Sequence, residues 1–283
     1  MRTINYSEVV EANIALHTRL AGEYNSCEPQ FRPENLGRVD ALLKSTIEKT
    51  KCKRLLDLGC GTGFIINLAK EHTAEITGVD VTQAMLDRVD LSGPAKIELH
   101  NHDTGSFEAE PEAYDVVTAY SFLHHLYDVR PTLNTAFKAL RKGGVFYADQ
   151  DPNFYFWEAI GKLERTGNHH PTVSREIEMT SYKDEDIEKS FGVSKDVFNK
   201  AEFSKNIKGG FTEEELREQL LEVGFSEVEV FHYWFIGQAG LVNDPRFDKG
   251  QNLHHAELTG DMLQSIMPLS RHLFKYLGFF AKK

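Results

Sequence analysis

The sequence predicts an α/β protein built around a mainly parallel sheet, and three observations point to this fold class. Short apolar runs alternate with segments of helical periodicity over the middle of the chain. A glycine turn joins the first of these runs to a helical segment. Hydrophobic residues make up 41% and charged residues 27% of the 283 residues, which is typical of a folded core. Strands and helices that alternate in this way form βαβ units, whose sheet is covered on both faces.

Two helical segments are predicted before the alternating region. Ser7 is the expected N-cap of the first, because Leu16, Leu20 and Tyr24 then recur every four residues. The second is indicated by apolar residues at helical spacing, namely Leu36, Val39, Leu43 and Ile47. A polar link, residues 25–35, separates the two segments. We therefore expect residues 1–50 to form a helical unit outside the sheet.

Five short apolar runs predict the strands of the parallel sheet: residues 54–58, 74–80, 96–100, 114–120 and 145–149. The helix between the last two is expected to begin near Pro131. We expect the same helix to end at Gly143 and Gly144, because glycine is common just after a helix.

The alternation lapses after residue 152. An aromatic cluster at 154–157, a predicted helix to Arg165 and a charged, turn-rich stretch indicate an insertion over residues 153–210. The pattern resumes at Thr212, which is expected to cap a helix that ends at Gly224. A strand at 226–236 and a helix at 253–267 follow. The closing apolar run, 273–281, fits either a last strand or the end of a helix.

Charge and cysteine usage exclude several classes of protein. A net charge of −11 disfavours binding to nucleic acid. The three cysteines, Cys27, Cys52 and Cys60, lack C-x-x-C spacing, so neither a disulfide framework nor a zinc knuckle is predicted. No run reaches the roughly 18 apolar residues of a membrane span, and the N-terminal residues lack a signal-peptide pattern. We expect a cytoplasmic protein without integral membrane association or a nucleic-acid partner.

The most informative segment is a strand that runs into a glycine turn. Gly59, Gly61 and Gly63 have the spacing G-x-G-x-G. Glycines at the carboxyl edge of a parallel sheet let the backbone bend sharply and approach a ligand closely. The third glycine of the dinucleotide pattern is absent, and no Lys-Ser/Thr pair follows, so neither a pyrophosphate cradle nor a P-loop is predicted.

Two acids at strand ends define the ligand that the loop is expected to bind. Asp57 stands two residues before Gly59, where a carboxylate would repel phosphate and suit an ammonium group. Asp80 follows Gly59 by about 20 residues, the position from which an acid accepts hydrogen bonds from ribose hydroxyls. Together they describe a nucleoside with a cationic tail and no phosphates, which is S-adenosylmethionine.

Residues 55–64 resemble the first motif of class I S-adenosylmethionine-dependent methyltransferases. Four later segments follow in the order of that family: residues 78–86, 101–103, 114–126 and 140–144. The resemblance covers residues 50–152 closely and 211–236 more loosely, within the ubiquinone/menaquinone-methyltransferase-like branch. It implies a Rossmann-like, seven-stranded sheet flanked by helices, with a helical lid and insert.

The same resemblance implies a division of the chain into four parts. Residues 1–50 would form the N-terminal helical lid, and residues 51–152 the α/β core that binds S-adenosylmethionine. Residues 153–210 would form an insertion on the side of the methyl acceptor. Residues 211–283 would complete the core and carry a helical insertion at about 238–270.

Several cofactor contacts are implied at the methionine end. The glycine loop would pack beside the methionine part through Gly59, Cys60, Gly61 and Gly63. Asp57 would lie near the amino group of the cofactor, and Tyr24 and Arg38 would cap its carboxylate. Tyr120 would line the gap where the transferred methyl group emerges.

Other contacts are implied at the adenosine end. Asp80 would hold the two ribose hydroxyls, with Val81 beside them. Met85 would lie against the adenine face. Asp103 would accept a hydrogen bond from the exocyclic amine, and Thr104 would add a neighbouring backbone contact.

Methyl transfer from a sulfonium is an in-line displacement with a neutral leaving group, so the enzyme mainly has to align the acceptor. A general base is needed only when the acceptor atom carries a weakly acidic proton. His124, His125 and Asp151 are candidates for that base, with Tyr120 as the orienting residue. An open alternative is that the His pair only packs a loop.

No metal site is predicted. The acids at residues 149–153 lack the Asp-Asn pair of magnesium-dependent catechol-type enzymes, and the pairs at 169–170 and 254–255 read as surface histidines. The expected function is methyl transfer to an O, N or C atom of a small, partly apolar molecule, with S-adenosylhomocysteine as the product. A non-methylating or non-catalytic S-adenosylmethionine-binding protein is the alternative. The oligomeric state is not predicted.

Overall fold

The computed structural model describes residues 4–163, 166–179 and 184–283. Within these residues the strands are β1 (Arg54–Leu58), β2 (Glu75–Asp80), β3 (Lys96–Asn101), β4 (Tyr114–Tyr120), β5 (Leu140–Pro152), β6 (Glu227–Phe235) and β7 (Phe274–Lys282). The seven described strands form one sheet in the order β3-β2-β1-β4-β5-β7-β6. Neighbours among β1–β5 pair in parallel, whereas β7 is antiparallel to both β5 and β6. The predicted seven-stranded α/β sheet is thereby confirmed.

Helices precede, connect and follow these strands. They are α1 (Tyr6–Leu20), α2 (Tyr24–Cys27), α3 (Pro33–Thr50), α4 (Phe64–Ala69), α5 (Gln83–Leu86), α6 (Arg130–Ala139), α7 (Phe154–Gly161), α8 (Pro171–Met179), α9 (Asp184–Phe191), α10 (Lys195–Ala201), α11 (Glu213–Val223), α12 (Gln238–Val242) and α13 (Lys249–Ser265). No helix in this described part of the chain is long and apolar enough to cross a bilayer.

The two faces of the sheet are covered by different helices. Leu55 of β1 packs on one face with α3 and α4, while Leu56 and Leu58 pack on the other face with α6 and α11. This alternation follows from the period of two in a strand. A third apolar cluster joins α1 to α9 and α10 through residues that include Leu16 and Phe198. The N-terminal helix therefore packs against the insertion as well as beside the sheet.

Two predicted helix ends differ from the structure. Asn5, not Ser7, caps α1, because its side chain accepts from the Glu8 backbone N–H at 3.1 Å and the Glu8 carboxylate accepts from the Asn5 N–H. Tyr24 begins α2 instead of continuing α1. The helix predicted to reach Arg165 ends at Gly161, and Arg165 lies outside the described residues.

The glycines at 143 and 144 do not end a helix. Helix α6 ends at Ala139, and β5 begins at the next residue. The pairing of β5 with β4 shifts between Tyr114 and Val116, and Gly143 has a φ of 78° at this bulge. A Cβ on Gly144 would lie 3.0 Å from the Asp115 carbonyl oxygen, so the close approach of the two strands requires glycine there. The closing apolar run is a strand, β7.

Candidate functional site

A cavity of about 420 Å³ lies at the carboxyl ends of β1, β2 and β4. Its volume is in the range of small-molecule sites, which is about 300–1,000 Å³. Helix α1 covers the cavity with residues spaced three or four apart, namely Tyr6, Val9, Val10, Asn13 and His17. The ligand edge of the parallel sheet and the N-terminal helix therefore enclose one site between them.

The glycine loop has a backbone conformation that residues with a side chain rarely adopt. Gly59, Gly61 and Gly63 all have positive φ. The N–H groups of Gly59 and Cys60 donate to the Val79 carbonyl at 2.8 and 3.1 Å, which ties the loop to the end of β2. A Cβ on Gly59 would lie 2.0 Å from the ring of Phe122.

Replacing Gly59 with alanine is expected to destabilise the protein by about 3 kcal/mol. The positive φ costs about 1 kcal/mol and the clash with Phe122 about 2 kcal/mol. Gly37, in α3, is the matched control, since a Cβ there meets nothing within 4 Å. Gly37→Ala should stabilise by about 0.5–1 kcal/mol through helix propensity. Urea unfolding measures both values, and equal stability of the two variants would contradict the loop geometry.

Asp80 organises the loop and faces the cavity. Its Oδ2 accepts from the Gly61 N–H at 2.9 Å, and its Oδ1 accepts from the Thr82 N–H at 2.8 Å. Burial raises the pKa of Asp80, and these two bonds act in the opposite direction. A carboxylate can accept about four hydrogen bonds, so Asp80 retains capacity for two ligand hydroxyls.

Three further predicted residues line the cavity beyond Asp80. Met85 is buried at the end of α5. Asp103 Oδ1 accepts from the backbone N–H groups of Gly105 and Ser106 at 3.0 and 3.1 Å. The hydroxyl of Thr104 is 2.9 Å from that of Thr132. The turn after β3 is therefore held by its own polar side chains.

Most predicted site residues line this one cavity: Tyr24, Gly59, Cys60, Gly61, Asp80, Val81, Met85, Asp103, Thr104, Tyr120 and His125. The acidic side chains among its lining residues are Asp80, Asp103 and Asp128. Among the described residues, no lysine or arginine lines it. A lining with three acidic side chains fits a cationic, phosphate-free nucleoside better than a dinucleotide.

Five predicted residues are not among the lining residues, namely Arg38, Asp57, Gly63, His124 and Asp151. The buried carboxylate of Asp57 accepts from the Thr118 hydroxyl at 2.7 Å, and burial raises its pKa to about 7. Arg38 donates to Asp149 at 2.9 Å, and its guanidinium lies 3.8 Å from the centre of the Tyr233 ring. The contact of Arg38 with the methionine carboxylate stays a prediction, and in this structure the guanidinium is bonded to Asp149.

Tyr120 is held at the cavity by hydrogen bonds from two neighbouring elements. Its hydroxyl accepts from the side-chain amide of Asn35 at 2.7 Å and donates to Gln150. Its ring lies 4.6 Å from that of Phe64. Burial raises the pKa of Tyr120, so the phenol stays protonated at neutral pH. Tyr120 can therefore orient a ligand but cannot serve readily as a base.

The two histidines after β4 differ in their surroundings. His125 lines the cavity, and its Nδ1 is 2.7 Å from the Ala201 carbonyl oxygen. His124 Nδ1 is 2.8 Å from Oδ1 of Asp151. Burial lowers the pKa of His124 to about 4 and that of His125 well below its ordinary value. Both imidazoles are consequently neutral at pH 7.

Glu202, which sequence reasoning missed, lies between these histidines. Its Oε1 is 3.6 Å from His125 Nδ1, and its Oε2 is 3.9 Å from His124 Nε2. Lys205 Nζ donates to Oε2 at 3.0 Å. Burial raises the pKa of Glu202, but the positive charge of Lys205 and the two histidines together lower it by more. The pKa of Glu202 is therefore below its ordinary value.

The α1 residues at the cavity were also missed, although a signal existed. Helical spacing relates the α1 residues at the cavity, which are Tyr6, Val9 or Val10, Asn13 and His17. The prediction of the helix relied instead on the apolar series at Leu16 and Leu20. Leu16 instead packs against α10. Both faces of α1 are thus occupied, one by the cavity and one by the insertion.

Comparisons with known proteins agree with this fold. A family model described as a methyltransferase domain matches residues 56–146. A ubiquinone biosynthesis O-methyltransferase of Saccharophagus degradans is 28% identical over 161 residues, which cover 54% of this chain and 68% of the relative. One from Vibrio atlanticus is 27% identical over 200 residues, 65% of this chain and 84% of the relative.

Solved structures share the architecture at low sequence identity. An S-adenosylmethionine-dependent methyltransferase from Mesorhizobium loti has a TM-score of 0.53 and 20% identity, covering 86% of this chain and 96% of that one. A second, from Archaeoglobus fulgidus, has a TM-score of 0.50 and 17% identity, covering 86% and 94%. The domain match and the curated relatives support a class I S-adenosylmethionine-dependent methyltransferase, and the solved structures share its fold.

Proposed function

We propose that this methyltransferase methylates a hydroxyl oxygen of a small, partly apolar molecule. The observation that carries the proposal is the neutral imidazole of His125 at the cavity. A hydroxyl needs a base to remove its proton during transfer, whereas an amine already offers a lone pair. The curated relatives are named as O-methyltransferases, which supports the same acceptor atom.

The tautomer of His125 suits it for this role. A carbonyl oxygen only accepts hydrogen bonds, so the contact with Ala201 requires the proton to be on Nδ1. Nε2 is then the unprotonated nitrogen of the ring. His124 is less suitable, because it does not line the cavity and its Nδ1 is bonded to Asp151. We therefore assign the base to His125.

The cofactor contacts are also part of this proposal. Asp80 would hold the ribose hydroxyls, Met85 the adenine face, and the Gly59 loop the methionine part. When bound, S-adenosylmethionine supplies an electrophilic methyl group on a positively charged sulfonium. The acids at the cavity favour that charge, and Tyr120 would orient the acceptor beside it.

Apolar and aromatic side chains suit the predicted acceptor. The lining residues near the end of β4 include Phe64, Phe122, Leu126 and Tyr127. Such surfaces bind rings and short aliphatic groups, while a few polar atoms fix the orientation. We propose that residues 1–50 and 153–210 together form the lid over this acceptor, since α1 packs against α10.

Transfer of a deuterated methyl group tests the acceptor class. The enzyme is incubated with methyl-labelled S-adenosylmethionine and three matched aromatic acceptors, a phenol, an aniline and a thiophenol, and the product masses are compared. We expect the label mainly on the phenol. Label on the aniline alone would contradict O-methylation. Thermal stabilisation by S-adenosylhomocysteine without any labelled product, including with cell extract as acceptor, would favour a non-methylating protein.

A further inference from the structure

Three side chains beside the cavity form a set of metal-ligand type. His124, His125 and Glu202 each offer one donor atom, and these atoms lie within 4.8 Å of one another. We call these three residues the His-Glu cluster. Ligands of a tetrahedral zinc ion are roughly 3.3 Å apart, given bonds of about 2.0 Å. The distances of 3.6 and 3.9 Å from the two Glu202 oxygens to the rings would therefore have to shorten by about 0.3 and 0.6 Å. The two imidazole nitrogens, which lie within 4.8 Å of each other, would also have to approach.

The surroundings of His124 resemble those of a metal ligand. Oδ1 of Asp151 accepts from the His124 backbone N–H at 3.0 Å and lies 2.8 Å from its Nδ1. Because this oxygen acts as an acceptor, the ring proton is on Nδ1 and Nε2 has a free lone pair. That nitrogen is the one nearer to Glu202. A carboxylate that holds the opposite nitrogen in this way commonly orients histidine ligands of metals.

Lys205 is the internal competitor for such a cation. Its ammonium lies 3.0 Å from Oε2 of Glu202 and supplies a single positive charge there. Glu28 adds a second buried carboxyl group in the neighbourhood. Glu28 interacts electrostatically with both Glu202 and Lys205, so a single ammonium group faces two carboxyl groups. A divalent cation would compensate these two groups more fully than Lys205 does.

We propose that the His-Glu cluster binds one divalent cation of the zinc class when Lys205 is displaced from Glu202. Two imidazole nitrogens and one carboxylate favour zinc or a similar transition metal over magnesium and calcium, which prefer oxygen ligands. Three protein ligands leave a fourth position for water or another small ligand. The sequence did not predict this site, because Glu202 follows His125 by 77 residues.

Binding at the cluster changes the proton on His125. Coordination through Nδ1 requires the proton to move to Nε2, and the hydrogen bond to the Ala201 carbonyl is lost. The nitrogen that would accept the substrate proton is then occupied. On the proposed function, the cation therefore inhibits methyl transfer to hydroxyl acceptors without entering the cofactor contacts.

Equilibrium dialysis against Zn²⁺ tests the site on the full chain after treatment with a chelator. We expect one Zn²⁺ per chain, and Co²⁺ in its place should show the intense visible absorption of a tetrahedral site. Glu202→Gln should abolish this binding. Lys205→Met should tighten it by about 10-fold, because the competing charge is removed. His254→Ala, at an exposed histidine of α13, is the matched control and should bind as the wild type does.

Two results would overturn the metal site. One is equal Zn²⁺ binding by wild type, Glu202→Gln and Lys205→Met, provided that circular dichroism shows the variants folded. The other is absence of binding by both wild type and Lys205→Met, which does not depend on Glu202→Gln folding. The measurement uses neither cofactor nor acceptor, so its failure is distinguishable from failure of the proposed O-methylation. Inhibition by Zn²⁺ is measured separately.

Discussion

Replacing Asp80 with alanine is expected to weaken binding of S-adenosylhomocysteine by about 100-fold. Each hydrogen bond to a charged group contributes about 1.5–3 kcal/mol, so two ribose contacts account for at least this change. The variant also loses the bonds to Gly61 and Thr82 that order the loop. Isothermal titration calorimetry measures the affinity. Asp80→Asn, which keeps one acceptor oxygen, should show an intermediate loss of about 10-fold.

Asp87 offers a matched control for this experiment. It lies just after α5, is exposed and pairs with Gln83 instead of facing the cavity. Asp87→Ala should therefore bind S-adenosylhomocysteine as tightly as the wild type. A folded Asp80→Ala protein with unchanged affinity would show that Asp80 does not hold the ribose.

Replacing His125 with alanine should lower kcat for a phenolic acceptor by about 1,000-fold, within the range of about 10²–10⁴ for loss of a general base. Affinity for S-adenosylhomocysteine should change less than about threefold, because the base acts on the acceptor. Stopped assays with labelled cofactor measure the rate, and calorimetry measures the affinity. Low pKa values keep both histidines neutral, so the wild-type rate should not fall between pH 8 and about pH 6 through protonation of His125.

His254→Ala serves as the control, since this histidine lies on exposed α13. His125→Asn distinguishes the role of His125 as a base from its hydrogen bond to Ala201. The asparagine amide can still donate to the Ala201 carbonyl but cannot accept the proton of the acceptor. The asparagine variant should be about as slow as the alanine variant with a phenol. Full activity of either variant would remove His125 from the reaction and favour its packing role.

The central part of the site was predictable because its determinants are local. The strand, the glycine turn and Asp80 follow one another along about thirty residues, and parallel pairing brings the ends of β1 and β2 together. Positive φ at Gly59 follows from the tight turn that the spacing implies. The class of fold and cofactor could therefore be inferred from residue types and their order.

Contacts across long stretches of chain could not be predicted in the same way. Arg38 binds Asp149, 111 residues away, and no periodicity in the sequence indicates that its guanidinium pairs with β5. His125 and Ala201 are 76 residues apart, and the insertion between them has no regular pattern. Tertiary packing brings these residues together. The local sequence pattern predicts the helices and strands but not which of their side chains meet.

The side-chain amide of Asn13 donates to the His125 carbonyl at 3.1 Å, which attaches α1 to the loop that carries the base. Helix α1 also packs on α10, whose last residue, Ala201, supplies the carbonyl that sets the His125 tautomer. Helix α1 therefore supports the His125 ring from two directions. On the proposed function, a shift of α1 would loosen both supports, and the base would be held in position only while this helix covers the cavity.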